Sequence, residues 1–357
     1  MPGAAIRIVG GCARVWRCGR VNVKTAGRIL LEDVLGLNAG DRILLYSDLP
    51  PDRTVIQSLQ KQAVELGMDA EVCLVGDLPT LQAMVEQLSS RVRAGHFAAI
   101  CELSEQYFYP TRVWGLAVEA GCKVYGLGPL DERALIGCVG EVDHAGLARF
   151  GQTLHRLLVH ARKVRIESEA GTSFSCRMTG RGLVARLLGR LPSADRSTVW
   201  PPCGVPTVGT ATFLGGQSSF LGIPGSMNGT LVIDGYLWPP RTVGPVQDPI
   251  TIEVVAGNIQ AISGAPAASA ALSNWLCGQS PRVEHFCVGY NPGATLGGSL
   301  MEAERAFGHL NVGVGRYPRH ADGVMKMPRI TIDGAVLMER GTFTHPKLVE
   351  LARALGH

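Results

Sequence analysis

Long hydrophobic runs are missing from this sequence. No stretch reaches the roughly 18 uninterrupted apolar residues of a membrane span, so none is expected. Runs rich in lysine and arginine are missing too, and a net charge of +4 is small for 357 residues. The electrostatic footprint of a nucleic-acid binder is therefore absent. None of the ten cysteines forms a C-x-x-C pair, so the expectation is reduced, mostly buried thiols in a cytoplasmic protein. There is no G-x-G-x-x-G after the first strand-like run and no phosphate-binding P-loop, which leaves a nucleotide site without support. Residues 1–20 carry Arg7, Arg14 and Arg17 but no continuous apolar stretch, and do not read as a signal peptide.

What is present suits a folded enzyme-sized chain. The sequence is 46% hydrophobic and 18% charged, enough apolar material for two ordinary domains. In the first part, amphipathic stretches alternate with short apolar runs. Helices are predicted over 21–37, 54–66, 81–94 and 111–120, and strands over 42–47, 70–75, 97–102 and 123–127. That alternation predicts an α/β N-terminal domain with an open, mostly parallel sheet. A further helix is predicted over 147–161; its His155 and His160 stand five apart and do not share a face. The character changes near residue 162. Beyond it, three β-rich units, 230–238, 250–259 and 330–338, each contain a turn signal such as Asp234-Gly235 or Asp333-Gly334 and read as hairpins. Short helices are predicted at 267–277 and 300–307. The division expected is 1–162, the α/β domain, and 163–357, a C-terminal α+β domain rich in antiparallel hairpins. Residues 182–225 give no clear reading beyond Gly- and Pro-rich loop.

The chemistry concentrates late in the chain. Arg319-His320-Ala321-Asp322-Gly323 places an imidazole and a carboxylate two residues apart. On an extended strand, residues i and i+2 point to one face. Such a pair can hold one metal ion if a third ligand arrives from elsewhere. His285, in Glu284-His285-Phe286-Cys287-Val288-Gly289, and His309, in Gly308-His309-Leu310-Asn311, fall within the same 38-residue window, 285–322. Two histidines and a carboxylate with open positions suit non-heme Fe(II). The same ligand types suit Zn, Mn or Co activating water.

The layout resembles a superfamily with two branches. Four islands carry the likeness: Glu167-Ser168-Glu169-Ala170-Gly171-Thr172-Ser173-Phe174, Asn228-Gly229-Thr230-Leu231-Val232-Ile233-Asp234, the His285 segment and the His320 segment. One branch is the aminopeptidase T type of leucyl aminopeptidase, with a dinuclear metal site. The other is 2,5-dihydroxypyridine 5,6-dioxygenase, with one ring-cleaving Fe(II). The peptidases place a metal-binding glutamate where this chain has His285, and another before the Gly-Thr-Leu strand, where it reads Pro224-Gly225-Ser226-Met227-Asn228. Two carboxylates are thus missing from a dinuclear site. The resemblance therefore implies one metal held by His285, His320 and Asp322, with Fe(II) as cofactor and Zn, Mn or Co as the alternative. His309 matches a peptidase ligand and is read as a base or further ligand, and Tyr109 as another candidate for the catalytic base. Tyr107, Tyr109, Trp200 and Cys203 fall where the dioxygenase has histidines that act on substrate. Arg177, Arg241 and Arg282 are candidates for pairing a substrate carboxylate.

The function expected is a mononuclear Fe(II) dioxygenase cleaving a hydroxylated aromatic or N-heteroaromatic ring. Its partners are a small aromatic molecule and O₂, with no nucleic acid, no membrane, and a homo-oligomer implied by the resemblance. The alternative is a metal-dependent hydrolase of the aminopeptidase T type.

Overall fold

The computed structural model describes residues 21–180, 196–239 and 244–357. Arg241 and positions 182–195 of the loop-like segment lie outside the described residues. Among the described residues no helix is long and apolar enough to cross a membrane. The eight described cysteines are free thiols.

The first half is an α/β domain. Arg42–Ser47 is an apolar run buried almost throughout, as a strand covered on both faces must be. It pairs in parallel with Asp69–Leu74 on one side and Ala99–Glu102 on the other. Lys123–Gly126 follows outward, and the five-stranded sheet is completed in parallel by Ala211–Phe213, which comes from far along the chain. The helices begin where the sequence supplies caps. Thr80 accepts the Ala83 N–H at the start of Leu81–Ala94, and Thr111 accepts the Val113 N–H at the start of Arg112–Glu119. The helix predicted over 21–37 is α-helical over Val23–Arg28 and continues as a π-helical stretch, Ile29–Val34.

The chain leaves the central strand toward one edge of this sheet and later crosses to the other edge. The reversal lies between Arg42–Ser47 and Ala99–Glu102, and the crevice beyond the carboxyl ends of such strands is the usual ligand position in open α/β sheets. Asp48 follows the first of these strands. Its carboxylate accepts the backbone N–H groups of Glu105 and Gln106, fixing the loop after the second.

Beneath that crevice Glu102 is 1% exposed. It accepts hydrogen bonds from Tyr46 Oη (2.5 Å), Trp114 Nε1 (2.7 Å) and the Phe108 N–H (3.3 Å). Burial outweighs these bonds and pushes its pKa up to about 7. The unfolded chain releases this proton near the ordinary carboxyl value, so stability falls as pH rises from about 4.5 to 7 and the loss persists above. At ~1.4 kcal/mol per pKa unit this single group costs on the order of 3 kcal/mol at pH 8. Glu102→Gln is therefore expected to lose less stability than wild type between pH 5 and pH 8, measured by urea unfolding. Parallel pH profiles for the two proteins would show that Glu102 ionises normally.

The second half contains an eight-stranded and a seven-stranded antiparallel sheet. One continuous core lies between them, with Val164, Ile166, Phe174 and Leu231 from the first sheet and Phe220, Phe286, Val288 and Val312 from the second. Helix His144–His160 packs into this same core through Leu147, Phe150, Leu154 and Leu158. Two of the expected hairpins form: Ile250–Val255 with Asn258–Gly264, and Arg329–Ile332 with Ala335–Glu339. The third does not. Asn228–Ile233 belongs to the eight-stranded sheet and Tyr236–Trp238 to the seven-stranded one, so Asp234-Gly235 carries the chain between sheets. The Asp234 carboxylate accepts the Lys326 N–H. A Cβ on Gly235 would stand 2.9 Å from Val324 O, so the crossing needs glycine.

Candidate metal centre

Alternation sorts the seven-stranded sheet into two faces. Phe286, Val288, Val312, Val314, Ala321 and Met325 point into the shared core. His285, Cys287, Asn311, Gly313, Asp322 and Val324 have the opposite parity and face the N-terminal domain. Register then sets neighbours. His285 lies opposite Gly313, and Gly313 lies opposite Asp322. The two ligand residues are thus on strands separated by a third, and the residue between them is glycine. A Cβ at Gly313 would fall 2.5–2.6 Å from both nitrogens of the His285 ring. The absence of that atom lets the imidazole lie across the middle strand and reach Asp322.

The outcome is a compact three-residue group. His285 Nε2 is 3.0 Å from Asp322 Oδ1, and His320 Nε2 is 3.1 Å from Asp322 Oδ2. One nitrogen or oxygen from each of His285, His320 and Asp322 lies within 4.8 Å of the others. His320 Nδ1 donates to Gly315 O at 2.7 Å, which assigns the proton to that nitrogen. Its Nε2 then carries a lone pair and is buried, and its 3.1 Å approach to Asp322 Oδ2 does not have the geometry of a hydrogen bond. Trp275 Nε1 donates to the His320 carbonyl at 2.9 Å and holds the residue from behind.

Electrostatics favour positive charge here. Burial opposes protonation of His285, but Cys287 and Asp322 outweigh it and its pKa stands well above the imidazole range. His320 is raised in the same sense: burial opposes protonation, and Asp322 outweighs it. Burial would raise Asp322, but the two imidazoles hold its carboxyl well below the usual range. A divalent cation satisfies this field without protons on the rings. The orphaned His320 Nε2 and the two-histidine, one-carboxylate donor set both fit a metal ion, with Gly315 O and Asn311 as the outer partners that orient ligands.

Three further residues complete the centre that sequence reasoning passed over. Asn311, on the middle strand, donates to Asp322 Oδ1 at 2.9 Å. The same amide stands 3.5 Å from Glu304 Oε1. Glu304 Oε2 accepts from Arg305 Nη1 at 3.0 Å, and Arg305 also donates to Met301 O and Leu214 O. Arg305 is 1% exposed and Glu304 8%. Burial and the Asp322 charge push Glu304 up to about 7 against the pull of Arg305. A signal for Asn311 and Gly313 was available, since they share His309's parity along one strand. Glu302, Glu304 and Arg305 interrupting the apolar residues of 300–307 were a second.

The other candidates are placed as follows. His309 precedes the strand Leu310–Val314, four residues from Gly313, roughly 13 Å along an extended chain. Its Nδ1 accepts the Met327 N–H, and burial lowers its pKa to about 4. It is not brought to the three-residue group. Tyr107 and Tyr109 do approach it: burial, with the nearby carboxylates, raises both phenols, so both are neutral donors. Cys203 is half-buried, and desolvation pushes its thiol up while Arg305 draws it down. Arg177 is an exposed residue of the eight-stranded sheet, opposite Lys163. Arg282 pairs with Glu284 at 2.6 Å. Trp200 is exposed, and its carbonyl meets the His155 ring.

Of the three, His320 lines a cleft of about 390 Å³ between the two halves of the molecule. Asp48, Glu105, Tyr107 and Tyr109 line it from the α/β domain, at the carboxyl ends of the strands where the sheet order reverses. Trp238, Trp275, Tyr317 and His320 line it from the other side.

Fold and site together define a class: an α/β domain joined to a two-sheet β domain, with one candidate metal group among the described residues, its His320 lining the cleft between them. Two solved structures share this architecture. The chain is similar to 2,5-dihydroxypyridine dioxygenase from Pseudomonas putida, with a TM-score of 0.68 and 16% identity over 92% of this chain and 99% of that one. It is also similar to AmpT, aminopeptidase T, from Thermus thermophilus, with a TM-score of 0.59 and 12% identity over 91% and 99% of the two chains. No family model matches the sequence, and no curated protein matches it significantly. At these identities the shared property is the fold, and it is the fold that the sequence resemblance implied.

Proposed function

We propose that the protein is a mononuclear Fe(II) dioxygenase that opens a hydroxylated aromatic or N-heteroaromatic ring. The observation that carries the reading is the group itself. Two imidazoles and one carboxylate converge beside an aromatic cleft, and among the described residues the group whose ligand atoms lie within 4.8 Å of one another contains no second carboxylate. The fold shared with a dihydroxypyridine dioxygenase supports it.

Fe(II) held by His285, His320 and Asp322 would supply open coordination positions for a ring hydroxyl and O₂, and the electron transfer needed to place both oxygen atoms on the two carbons of the ring bond that breaks. The protein's own part is positioning. Gly315 O fixes the His320 tautomer, and Asn311 fixes the Asp322 carboxylate. The aromatic walls hold a flat ring and exclude water, and the Tyr107 and Tyr109 phenols remain protonated as donors.

The fold shared with aminopeptidase T supports a second reading. In it the same ligands hold Zn, Mn or Co and lower the pKa of a bound water for hydrolysis.

Metal analysis of the purified protein separates the two. One iron per chain, lost in His285→Ala, with O₂ consumed on adding a dihydroxypyridine or a catechol, is the expected result. Zinc, cobalt or manganese in place of iron, with amine released and no O₂ consumed, would overturn the oxygenase reading in favour of the hydrolase.

A further inference from the structure

Two of the three candidate ligands owe their places to strand pairing. His285 lies opposite Gly313, and Asp322 lies opposite both Gly313 and Trp238. His320 does not share that frame. It precedes the strand Ala321–Met325, whose first pair with the middle strand is Ala321 opposite Val314. His320 therefore ends the loop 315–320, which joins Leu310–Val314 to Ala321–Met325. A ladder holds a strand residue through its neighbours, whereas a loop residue needs another anchor to keep a metal ligand in place.

The polar groups of the loop show what that anchor is. The Gly315 N–H donates to Arg282 O at 2.8 Å. Gln279 Oε1 accepts the Arg316 N–H at 3.0 Å, and Gln279 Nε2 donates to Arg319 O at 3.0 Å. Trp275 Nε1 donates to His320 O at 2.9 Å. The Arg319 guanidinium donates in return to Cys277 O. All of these partners lie in 275–282, the end of helix Pro266–Leu276 and the chain that leads into the His285 strand. The Gln279 side chain acts as a strand neighbour would, offering one acceptor and one donor to the loop backbone. Inside the loop, Gly315 O takes the proton of His320 Nδ1. The loop thus orients the ring, and 275–282 orients the loop.

We propose that Trp275 and Gln279 are positioning residues of the metal centre, holding the 315–320 loop so that His320 Nε2 meets the ion shared with His285 and Asp322. Neither offers a ligand atom itself. Metal–ligand distances tolerate only about 0.2 Å, so a loop freed by more than that no longer presents the nitrogen. The inference rests on the proposed function only in taking His285, His320 and Asp322 as one metal group. It is indifferent to which divalent ion is native.

The test is titration of the metal-free, full-length protein with Zn(II) in competition with a chromophoric chelator. Trp275→Phe keeps an aromatic ring and removes the N–H. Gln279→Met keeps the bulk and removes both hydrogen bonds; the side chain is half-buried, so this variant is expected to fold even if the first does not. Each should bind Zn(II) on the order of 10-fold more weakly, the lower end of what lost outer partners cost. The visible bands of bound Co(II) should also shift, because they report ligand geometry; a residue that only stabilised the fold would leave them unchanged. Either variant, folded by circular dichroism, that binds Zn(II) as tightly as wild type with unchanged Co(II) bands overturns the inference. Wild-type protein that binds neither ion sinks the metal group and this inference with it. Wild type that binds both, matched by the variants, sinks this inference alone.

Discussion

Gly313→Ala is expected to abolish metal binding while leaving the fold intact. The position lies on the middle of three strands, between His285 and Asp322 in one cross-strand row. An added Cβ would occupy space now filled by the His285 ring, 2.5–2.6 Å from its nitrogens. Backbone and β-sheet pairing tolerate alanine, so the ring must move. It cannot move and still reach Asp322 across two inter-strand spacings of about 4.8 Å each. Overpacking at one methyl costs ~1–3 kcal/mol, too little to unfold a typical domain. Loss of one ligand's position should cost on the order of 100-fold in metal affinity or more, since even displaced outer partners cost 10–100-fold. Metal content by elemental analysis, with circular dichroism to verify folding, decides it. A folded Gly313→Ala protein holding a full complement of metal would show that His285 does not ligate across that gap.

Arg305→Met is the second large effect, and it falls on stability. The guanidinium is 1% exposed and its partners are the Glu304 carboxylate and two backbone carbonyls. Removing one member of a buried ion pair leaves an uncompensated charge and typically costs 3–5 kcal/mol, so a loss of about that size is expected. The sign of the pH dependence follows from Glu304, whose pKa is already about 7 with Arg305 present. Without the arginine it rises further. The variant should be penalised most above pH 7, where wild-type Glu304 is ionised, and least near pH 5, where it is protonated in both proteins. Adding Glu304→Gln should recover much of the loss and flatten the pH dependence, because no buried charge then remains to be compensated. Urea unfolding of the two single variants and the double variant at pH 5.5 and pH 8 tests this. Additive losses with no pH dependence would show that the pair is not coupled.

The sequence was most legible where local physics suffices. The strand Arg42–Ser47 and the helix Leu81–Ala94 fall at their predicted limits, because apolar runs and amphipathic stripes carry their own period. His320 and Asp322 were legible for the same reason: a two-residue spacing on an extended chain brings their side chains to one face, 3.1 Å apart. Asp234-Gly235 misled because a turn dipeptide specifies a local bend, not the sheet that the next strand will join.

His285 was linked to that pair by lying in the same 38-residue window, and singled out as the third ligand by the family resemblance. Its meeting with Asp322 depends on the register of three strands and on the missing side chain at Gly313. His309 was a candidate because it falls in that window and matches a peptidase ligand in the family resemblance. Strand position decided otherwise, since Asn311 reaches Asp322 while His309 turns to the Met327 N–H.

By itself, then, the sequence determined the alternating α/β half, the β-rich half and the His-x-Asp pair, all consequences of periods two and 3.6 read along one chain. The tertiary structure decided which residues complete the centre, that Arg305 and Glu304 are buried behind it, and that aromatic side chains from both halves line one cleft. Those features come from contacts between residues far apart in sequence. Sheet order and register set such contacts, and no local pattern encodes them.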